Sequence, residues 1–361
     1  MVTGAVVLLG LLPATIACFY YAFGSILGRF PRRMSLRTPT LHIAILIPAH
    51  DEESALPKAL ASIAASDYPP ELISVRVVAD HCTDATEALA RQFGADCTVR
   101  QDSLNRGKGY ALAEGFAELL PSRPDAVLIL DADCRISPGF LKRLDAECSA
   151  GAVAVQAAVV STCSPGNPVS IVAAIGAAFD NRMAAAGDRL GRFVPLRGTG
   201  MLFTRDILER FPWTQFGLAE DAEYGSTLRR ERVLIRFVAG ETVTCEAPPH
   251  PKAFLGQRRR WSASLRVPQA PWPIRWLVSK PLILTHLLLT ALAVLVFAPE
   301  SLLAIWLLIV MGLTAAIYAD AMLTVGVRWP GFRSFWLIGR MAVLSLASLW
   351  AREAPWQRTT R

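Results

Sequence analysis

A run of apolar residues that ends in two carboxylates one residue apart, Asp125-Ala-Val-Leu-Ile-Leu-Asp131-Ala-Asp133, restricts the fold of this chain more than any other stretch. Short apolar runs bounded by turn residues, here Pro124 and Pro138, suit a strand buried on both faces of a parallel sheet. Side chains at i and i+2 leave the same face of a strand, so Asp131 and Asp133 are expected to point together at its carboxyl end. In an open α/β sheet that edge is where ligands bind. Two convergent carboxylates repel unless a cation lies between them, and hard ions such as Mg2+ or Mn2+ take oxygen ligands and share them with phosphates. The pair marks a candidate metal-bridged nucleotide site. Taken alone, it also reads as a turn in which one Asp caps the next helix.

The rest of the composition points to a membrane. A chain of 361 residues with 53% hydrophobic side chains and a mean hydropathy of +0.36 is too apolar for an ordinary soluble enzyme, and the excess sits at its two ends. Val2 to Leu27 carries no charge; about 20 such residues suffice to cross a bilayer. A secretory signal would place its charge before a shorter apolar core. Here Arg29, Arg32, Arg33 and Arg37 follow instead, so the positive-inside rule puts the amino terminus outside and the chain after Arg29 in the cytoplasm. At the other end Trp272, Arg275 and Trp276 suit interface anchors before two expected spans, Pro281 to Ala298 and Leu302 to Tyr318. Ser334 to Trp350 is interrupted by Arg340, which is costly in lipid, so an interfacial helix is expected there ahead of a third span in this region. The expected layout is a membrane helix over 1–28, a cytoplasmic domain over 40–265 and a membrane region over 270–361. This describes a multi-pass protein of the inner or plasma membrane.

Net charge is +7, but the Arg residues gather beside the apolar ends and in one short motif. A membrane surface and a phosphorylated substrate account for that better than nucleic acid does. The seven Cys show no C-x-x-C pair and no His partner at zinc spacing, and read as scattered reduced thiols.

Between the ends, strands and helices alternate. Ile43 to Ile47 reads as a buried strand leading to Pro48-Ala-His-Asp-Glu-Glu53, followed by a helix from Glu52 to Ala65 with Leu56, Leu60 and Ile63 on its apolar face. A second strand, Ile73 to Ala79, ends at Asp80-His-Cys-Thr-Asp84, where Thr83 is expected to cap the next helix. A short strand at Cys97 to Val99, the loop Asn105-Arg-Gly-Lys-Gly109 and a helix to Leu120 lead to the strand before Asp131. This rhythm predicts a doubly wound parallel α/β sheet. Further on, a strand at Val153 to Val160, a helix at Pro168 to Ala186, the loop Gly198-Thr-Gly200 and helices at Arg205 to Arg210 and Ala219 to Arg230 are expected.

Several residues carry chemistry. Asp80 stands beyond a strand like Asp131, where it can accept hydrogen bonds from a base or a ribose, or merely shape a turn. Lys108, between two glycines at a helix amino terminus, suits a phosphate. Glu220-Asp221 opens a helix, where acidic residues complement the helix dipole, or where Asp221 can take a proton from an attacking hydroxyl. Gln257-Arg-Arg-Arg-Trp261 reads as a basic juxtamembrane run on anionic lipid, or as Arg260 on pyrophosphate with Trp261 offering a flat surface to a sugar.

Taken together in this order, these motifs resemble the membrane-integrated family 2 glycosyltransferases, which include cellulose, chitin and hyaluronan synthases and ceramide glucosyltransferases. The likeness runs from about Ile43 to Trp261. It implies a GT-A type nucleotide-sugar-binding domain in which Asp80 contacts the nucleobase, Asp131 and Asp133 hold the nucleotide and its Mg2+ or Mn2+, and Asp221 is the general base. Gln257, Arg260 and Trp261 would close over the pyrophosphate near the acceptor. Ala219 stands where the family commonly has Thr or Ser, and Ala79 where it frequently has Asp. The implied reaction is inverting transfer of a sugar, with UDP-glucose or UDP-N-acetylglucosamine the expected donor, to a lipid or polysaccharide acceptor in a β-linkage. Three spans give little wall for a polymer channel without an export partner or a homo-oligomer, and Gly198 to Gly200 is a candidate acceptor floor. The alternative is a catalytically silent nucleotide-sugar-binding subunit of a polysaccharide synthesis or export complex, which would have no need of a base at Asp221.

Overall fold

The computed structural model describes residues 2–32, 34–164, 166–261, 291, 302–328, 331–334, 336–337 and 340. The chain forms two compact units that do not follow its linear order. One comprises Pro31–Thr162 and Gly187–Glu246; the other takes Met1–Phe30, Cys163–Ala186 and Ala247–Arg361.

In the first unit an eight-stranded sheet is built from β1 (Ile43–Ala49), β2 (Ile73–Asp80), β3 (Asp96–Arg100), β4 (Ala126–Ile129), β5 (Cys134–Ile136), β6 (Ala154–Ser161), β7 (Met201–Thr204) and β8 (Ile235–Cys245), in the order β3-β2-β1-β4-β7-β6-β8-β5. The half β3-β2-β1-β4 is parallel, as the alternation predicts. Ile43 to Ile47 and all of β4 are fully buried, the burial on both faces that a continuous apolar run requires. The other half is mixed: β7 runs antiparallel to both β4 and β6, and β5 antiparallel to β8. The sheet is thus α/β but not parallel throughout, since β7 returns beside β4 by direct pairing rather than through a crossover helix.

Helices α2 (Leu56–Ala64), α3 (Thr86–Gln92), α4 (Lys108–Leu119), α5 (Phe140–Ser149), α7 (Arg205–Arg210) and α8 (Glu220–Arg230) belong to this unit. The first starts four residues later than the apolar pattern suggests, because Glu52 and Glu53 are engaged with the next loop: the Glu52 amide donates to Thr86 Oγ1 at 2.7 Å and the Glu53 amide to Asp84 Oδ2 at 3.1 Å. Asp84, not Thr83, turns its side chain to the start of α3, accepting from the Thr86 amide at 3.0 Å. β2 and β3 lie to one side of β1 and β4 to the other, so the strand order reverses between β1 and β4, where ligands settle in open sheets.

The second unit holds α1 (Val2–Leu27), most of α6 (Pro168–Arg189), α9 (Pro251–Trp261) and α10 (Leu302–Thr324). Two of its helices, Pro168–Arg189 and Ala304–Thr324, are long and apolar enough to cross a membrane. They differ in surroundings: α6 is mostly buried, and α10 mostly exposed. Ile171, Ile175 and Ala178 of α6 pack against Ala321 of α10, and Val169, Val172 and Ala173 against Phe254 of α9. Ala17 and Cys18 of α1 join Leu307, Val310 and Ile317. The expected span Pro281 to Ala298, apart from Ala291, and most of the segment Ser334 to Trp350 lie outside the described residues. Two of the Arg residues that follow α1 are ion-paired: Arg29 with Asp320 within this unit, and Arg32 with Glu147 within the sheet unit.

The cysteines depart from the expectation of free thiols. Cys134 and Cys245 face one another across the antiparallel pair β5–β8 and are joined as a disulfide. Their sequence separation of 111 residues hides a register in which they are direct neighbours.

Candidate active site

β4 is followed by Leu130 and then Asp131, whose amide donates to Thr199 Oγ1 at 3.0 Å. That bond ties the end of the strand to the loop Gly198-Thr199-Gly200. Gly200 has a φ of +63°, and a Cβ there would lie 2.9 Å from Val243 Cγ2, so only glycine fits the turn without displacing β8. Lys108, at the first turn of α4, reaches into the same corner. Its Nζ donates to Asp131 Oδ1 at 2.5 Å and to the Gly198 carbonyl at 2.7 Å, and lies 4.0 Å from Glu220 Oε1. Asp221 Oδ2 would lie 3.6 Å from a Cβ on Gly198, so its carboxylate faces the same loop. The sheet edge therefore gathers three carboxylates, Asp131, Glu220 and Asp221, around one ammonium.

Their ionisation follows from burial and charge. Burial alone would push the Lys108 ammonium down, but Asp131, Glu220 and Asp221 outweigh it and hold the pKa above the usual value. Burial pushes the Glu220 carboxyl up to about 7, with Asp221 and Asp131 adding to the rise and Lys108 opposing it. Asp221 is raised by burial and by Asp131, against Lys108 and the Ala222 amide, which donates to Oδ1 at 2.8 Å. A carboxylate with a raised pKa beside polar groups at a sheet edge has the properties of a proton acceptor.

Asp133 lies one residue beyond Ala132, and ligand atoms of Asp131, Asp133 and Cys134 lie within 4.8 Å of one another. Cys134 is committed to its disulfide, which leaves two carboxylates, a hard oxygen donor set that fits a divalent cation sharing its remaining positions with phosphate. A second group, Asp51, Cys82 and Asp84, is also close enough to hold an ion. Its atoms are already used to knit two loops: Asp51 Oδ1 accepts from the Thr83 amide at 2.6 Å, and Asp84 accepts from Glu53 and Thr86.

At the far end of the corner, Asp80 is the last residue of β2 and is buried. Its Oδ1 accepts from Arg100 Nη1 at 2.8 Å and from His81 Nδ1 at 2.8 Å. Its backbone carbonyl meets His50 Nδ1 at 2.6 Å. The structure thus places Asp80, Lys108, Asp131, Asp133 and Asp221 along one edge of one unit. Gln257, Arg260 and Trp261 are on α9 in the other unit, and the side chains of Arg260 and Trp261 lie outside the described residues. Sequence reasoning missed Arg100, the bond between Thr199 and Asp131 and the buried state of Glu220. Arg100 had a signal, because pairing the ends of β2 and β3 puts it directly beside Asp80.

Comparison with known proteins now gives this arrangement its context. The model of Glycosyltransferase like family 2 matches residues 39–264. Probable glycosyltransferase YdaM of Bacillus subtilis is 26% identical over 233 residues, which are 61% of this chain and 54% of that protein. The β-monoglucosyldiacylglycerol synthase of Synechocystis is 25% identical over 289 residues, 74% of this chain and 58% of that protein. The chain therefore spans a little over half the length of these curated relatives. Among solved structures, the mannosyltransferase PcManGT from Pyrobaculum calidifontis, in complex with GDP-Man and Mn2+, superposes with a TM-score of 0.66 at 18% identity, covering 97% of this chain and all of that one. The fold is shared with that enzyme. Since the family match extends from just before β1 to the end of α9, well over half of the sequence, the chain belongs to glycosyltransferase family 2.

Proposed function

We propose that this chain is an inverting glycosyltransferase that moves a sugar from a nucleotide sugar to an acceptor at a membrane. The observation that carries the reading is the meeting of Asp131, Lys108, Glu220 and Asp221 at the sheet edge, with Asp221 raised in pKa and facing the Gly198 loop. Asp80 would contact the nucleobase, and Lys108 and Arg260 the diphosphate. Asp131 and Asp133 would hold Mg2+ or Mn2+, which when bound neutralises charge on the diphosphate oxygens.

In the reaction the acceptor oxygen forms a bond to the anomeric carbon from the face opposite the leaving group. The carbon–oxygen bond to the diphosphate breaks, its electron pair leaving with the nucleoside diphosphate. Asp221 takes the acceptor's proton, and the Lys108 ammonium stabilises the charge that builds on the departing oxygens. An α-linked donor gives a β-linked product. Gln257 to Trp261 would cover the site and exclude water, since hydrolysis of the donor competes with transfer.

Membrane attachment is supported by α1 and α10, which expose Ile16, Phe19 and Phe23, and Ile305, Leu308 and Leu323, respectively. Apolar side chains in such density on one unit are unusual in contact with water. The Arg-rich sequence after α1 favours a cytoplasmic catalytic unit. A lipid acceptor is favoured by the relative that is a synthase of β-monoglucosyldiacylglycerol. A growing polysaccharide would require an export partner or a homo-oligomer.

The test is release of nucleoside diphosphate by membranes containing the full chain, scanned over UDP- and GDP-sugars with Mn2+ or Mg2+. One donor is expected to turn over, Asp133→Ala to abolish its turnover, and Asp221→Asn to abolish transfer while sparing donor binding. Equal loss of binding and transfer in Asp221→Asn would remove the assignment of the base.

A further inference from the structure

This inference rests on the transferase reading and concerns what holds the reaction point in place. β6 is an interior strand of the sheet, and its apolar run Ala154-Val155-Gln156-Ala157-Ala158 is interrupted by Gln156, which is completely buried. A polar side chain in such a place costs free energy unless its hydrogen bonds are made. Here they are made. Nε2 donates to the Thr199 carbonyl at 3.0 Å and to the Ala157 carbonyl at 2.9 Å, while Oε1 accepts from the Arg197 amide at 2.9 Å. One side-chain amide thus grips the backbone on both sides of Gly198.

Gly198 is the point on which the site converges. Its carbonyl accepts from Lys108 Nζ at 2.7 Å. A Cβ placed on it would lie 3.3 Å from Lys108 Nζ and 3.6 Å from Asp221 Oδ2, so the space a side chain would fill borders both the ammonium and the proposed base. The Gly200 end of this loop is held by strand-like bonds: its amide donates to the Ile129 carbonyl at 2.9 Å, and its carbonyl accepts from the Ala157 amide at 2.8 Å. The Arg197 end is held by Gln156.

We propose that Gln156 is a positioning residue: by clamping Arg197 and Thr199 it sets the direction of the Gly198 carbonyl, and through that carbonyl the place of the Lys108 ammonium. The role selects the side chain. It needs donors and an acceptor on one planar group; an ionised Glu has no donor, Met has no amide, and Asn is one methylene short of the same reach. An ammonium displaced by about 1 Å stabilises the departing diphosphate less well, and misplacement on that scale costs about a hundredfold in rate. Because the contact matters as charge develops on the leaving oxygens, the loss falls on kcat and leaves KM nearly unchanged.

The experiment is steady-state release of nucleoside diphosphate by the purified full chain, in detergent with Mn2+, using the donor that the wild type turns over. Calorimetric titration with the matching nucleoside diphosphate counts the binding sites per chain in each variant. Gln156→Met, which keeps the length and removes the hydrogen bonds, is expected to lower kcat about tenfold to a hundredfold, with KM within about threefold and an unchanged site count. Gln156→Asn is expected to fall between it and the wild type, and carries the test alone if Gln156→Met does not fold. Lys108→Met is expected to keep about a hundredth to a thousandth of kcat. In that background Gln156→Met is expected to cost less than about threefold more, since the ammonium it places is gone. The same factor in both backgrounds overturns the route through Lys108. A site count that falls in step with kcat reduces Gln156 to a residue needed only for folding, and an unchanged kcat in a folded Gln156 variant overturns the inference while the transferase reading stands. A wild type that turns over no donor removes that reading, and this inference with it.

Discussion

Burial sets the ionisation of Glu220 before any neighbour does, and its consequence for pH can be worked out in sign. Its carboxyl, pushed up to about 7, keeps in the native state a proton that the unfolded chain, with an ordinary value of 4.5, has already released. Where the native state binds more protons, stability falls as pH rises. Glu220 therefore lowers stability progressively between about pH 4.5 and 7, and Asp221, shifted in the same direction, adds to the slope. Lys108 stays ionised throughout and contributes none of it. Melting temperatures of the detergent-solubilised chain at pH 5 and pH 7.5 are expected to differ less in Glu220→Gln than in the wild type; an unchanged difference would assign the slope to another group. That Asp131, Asp133 and Asp221 gather at one sheet edge was legible, because two of them follow an apolar run and the third opens a helix. Arg100 was not, since an arginine at the end of a polar strand declares nothing until its partner strand is known, and Thr199 reaches Asp131 only through a contact 68 residues away.

The parallel half of the sheet could be read from the chain because each strand there is an apolar run followed by its own helix, a local pattern. The antiparallel half could not, because β5 has three residues and β7 four, and their partners are set by pairing with strands far away in the sequence, from 45 residues for Gln156 with Met201 to 111 for Cys134 with Cys245. The same limit hid the Cys134–Cys245 link, whose two ends are neighbours only in that pairing. Between elements, Gly109 carries a demand its sequence does not announce. A Cβ there would lie 2.2 Å from the Gln215 carbonyl oxygen, so glycine allows the loop Trp213 to Gly217, which leads into Glu220 and Asp221, to lie against the first turn of α4. Gly109→Ala is expected to lower stability by about 1–3 kcal/mol through overpacking against backbone. Thermal unfolding measures it, and a loss below about 0.5 kcal/mol would show that the loop yields at little cost.

At the scale of the whole molecule, the uncharged run at the amino terminus folds as one helix of 26 residues, and α10 as one of 23. The fate of the carboxyl end is open to a direct measurement. In sealed right-side-out vesicles a carboxyl-terminal tag is expected to resist external protease, as an odd number of crossings from an outside amino terminus requires. Cleavage of the tag would mean that Ser334 to Trp350 also crosses. α6 was read from sequence as one more helix of the catalytic domain, because length and apolarity do not name a helix's neighbours; its packing against α9 and α10 does. The backbone consequently passes between the two units at residues 30/31, 162/163, 186/187 and 246/247. Trimming both ends at the obvious places, to leave only 31–246, would strip Ile171, Val172 and Ile175 of the side chains that cover them and turn a buried stripe into a sticky one. A water-soluble version of the catalytic unit calls for excision from the middle of the gene as well as from its ends, with a polar bridge from Thr162 to Gly187 long enough to replace the length of the excised helix, about 28 Å from Pro168 to Gly187 at 1.5 Å per residue.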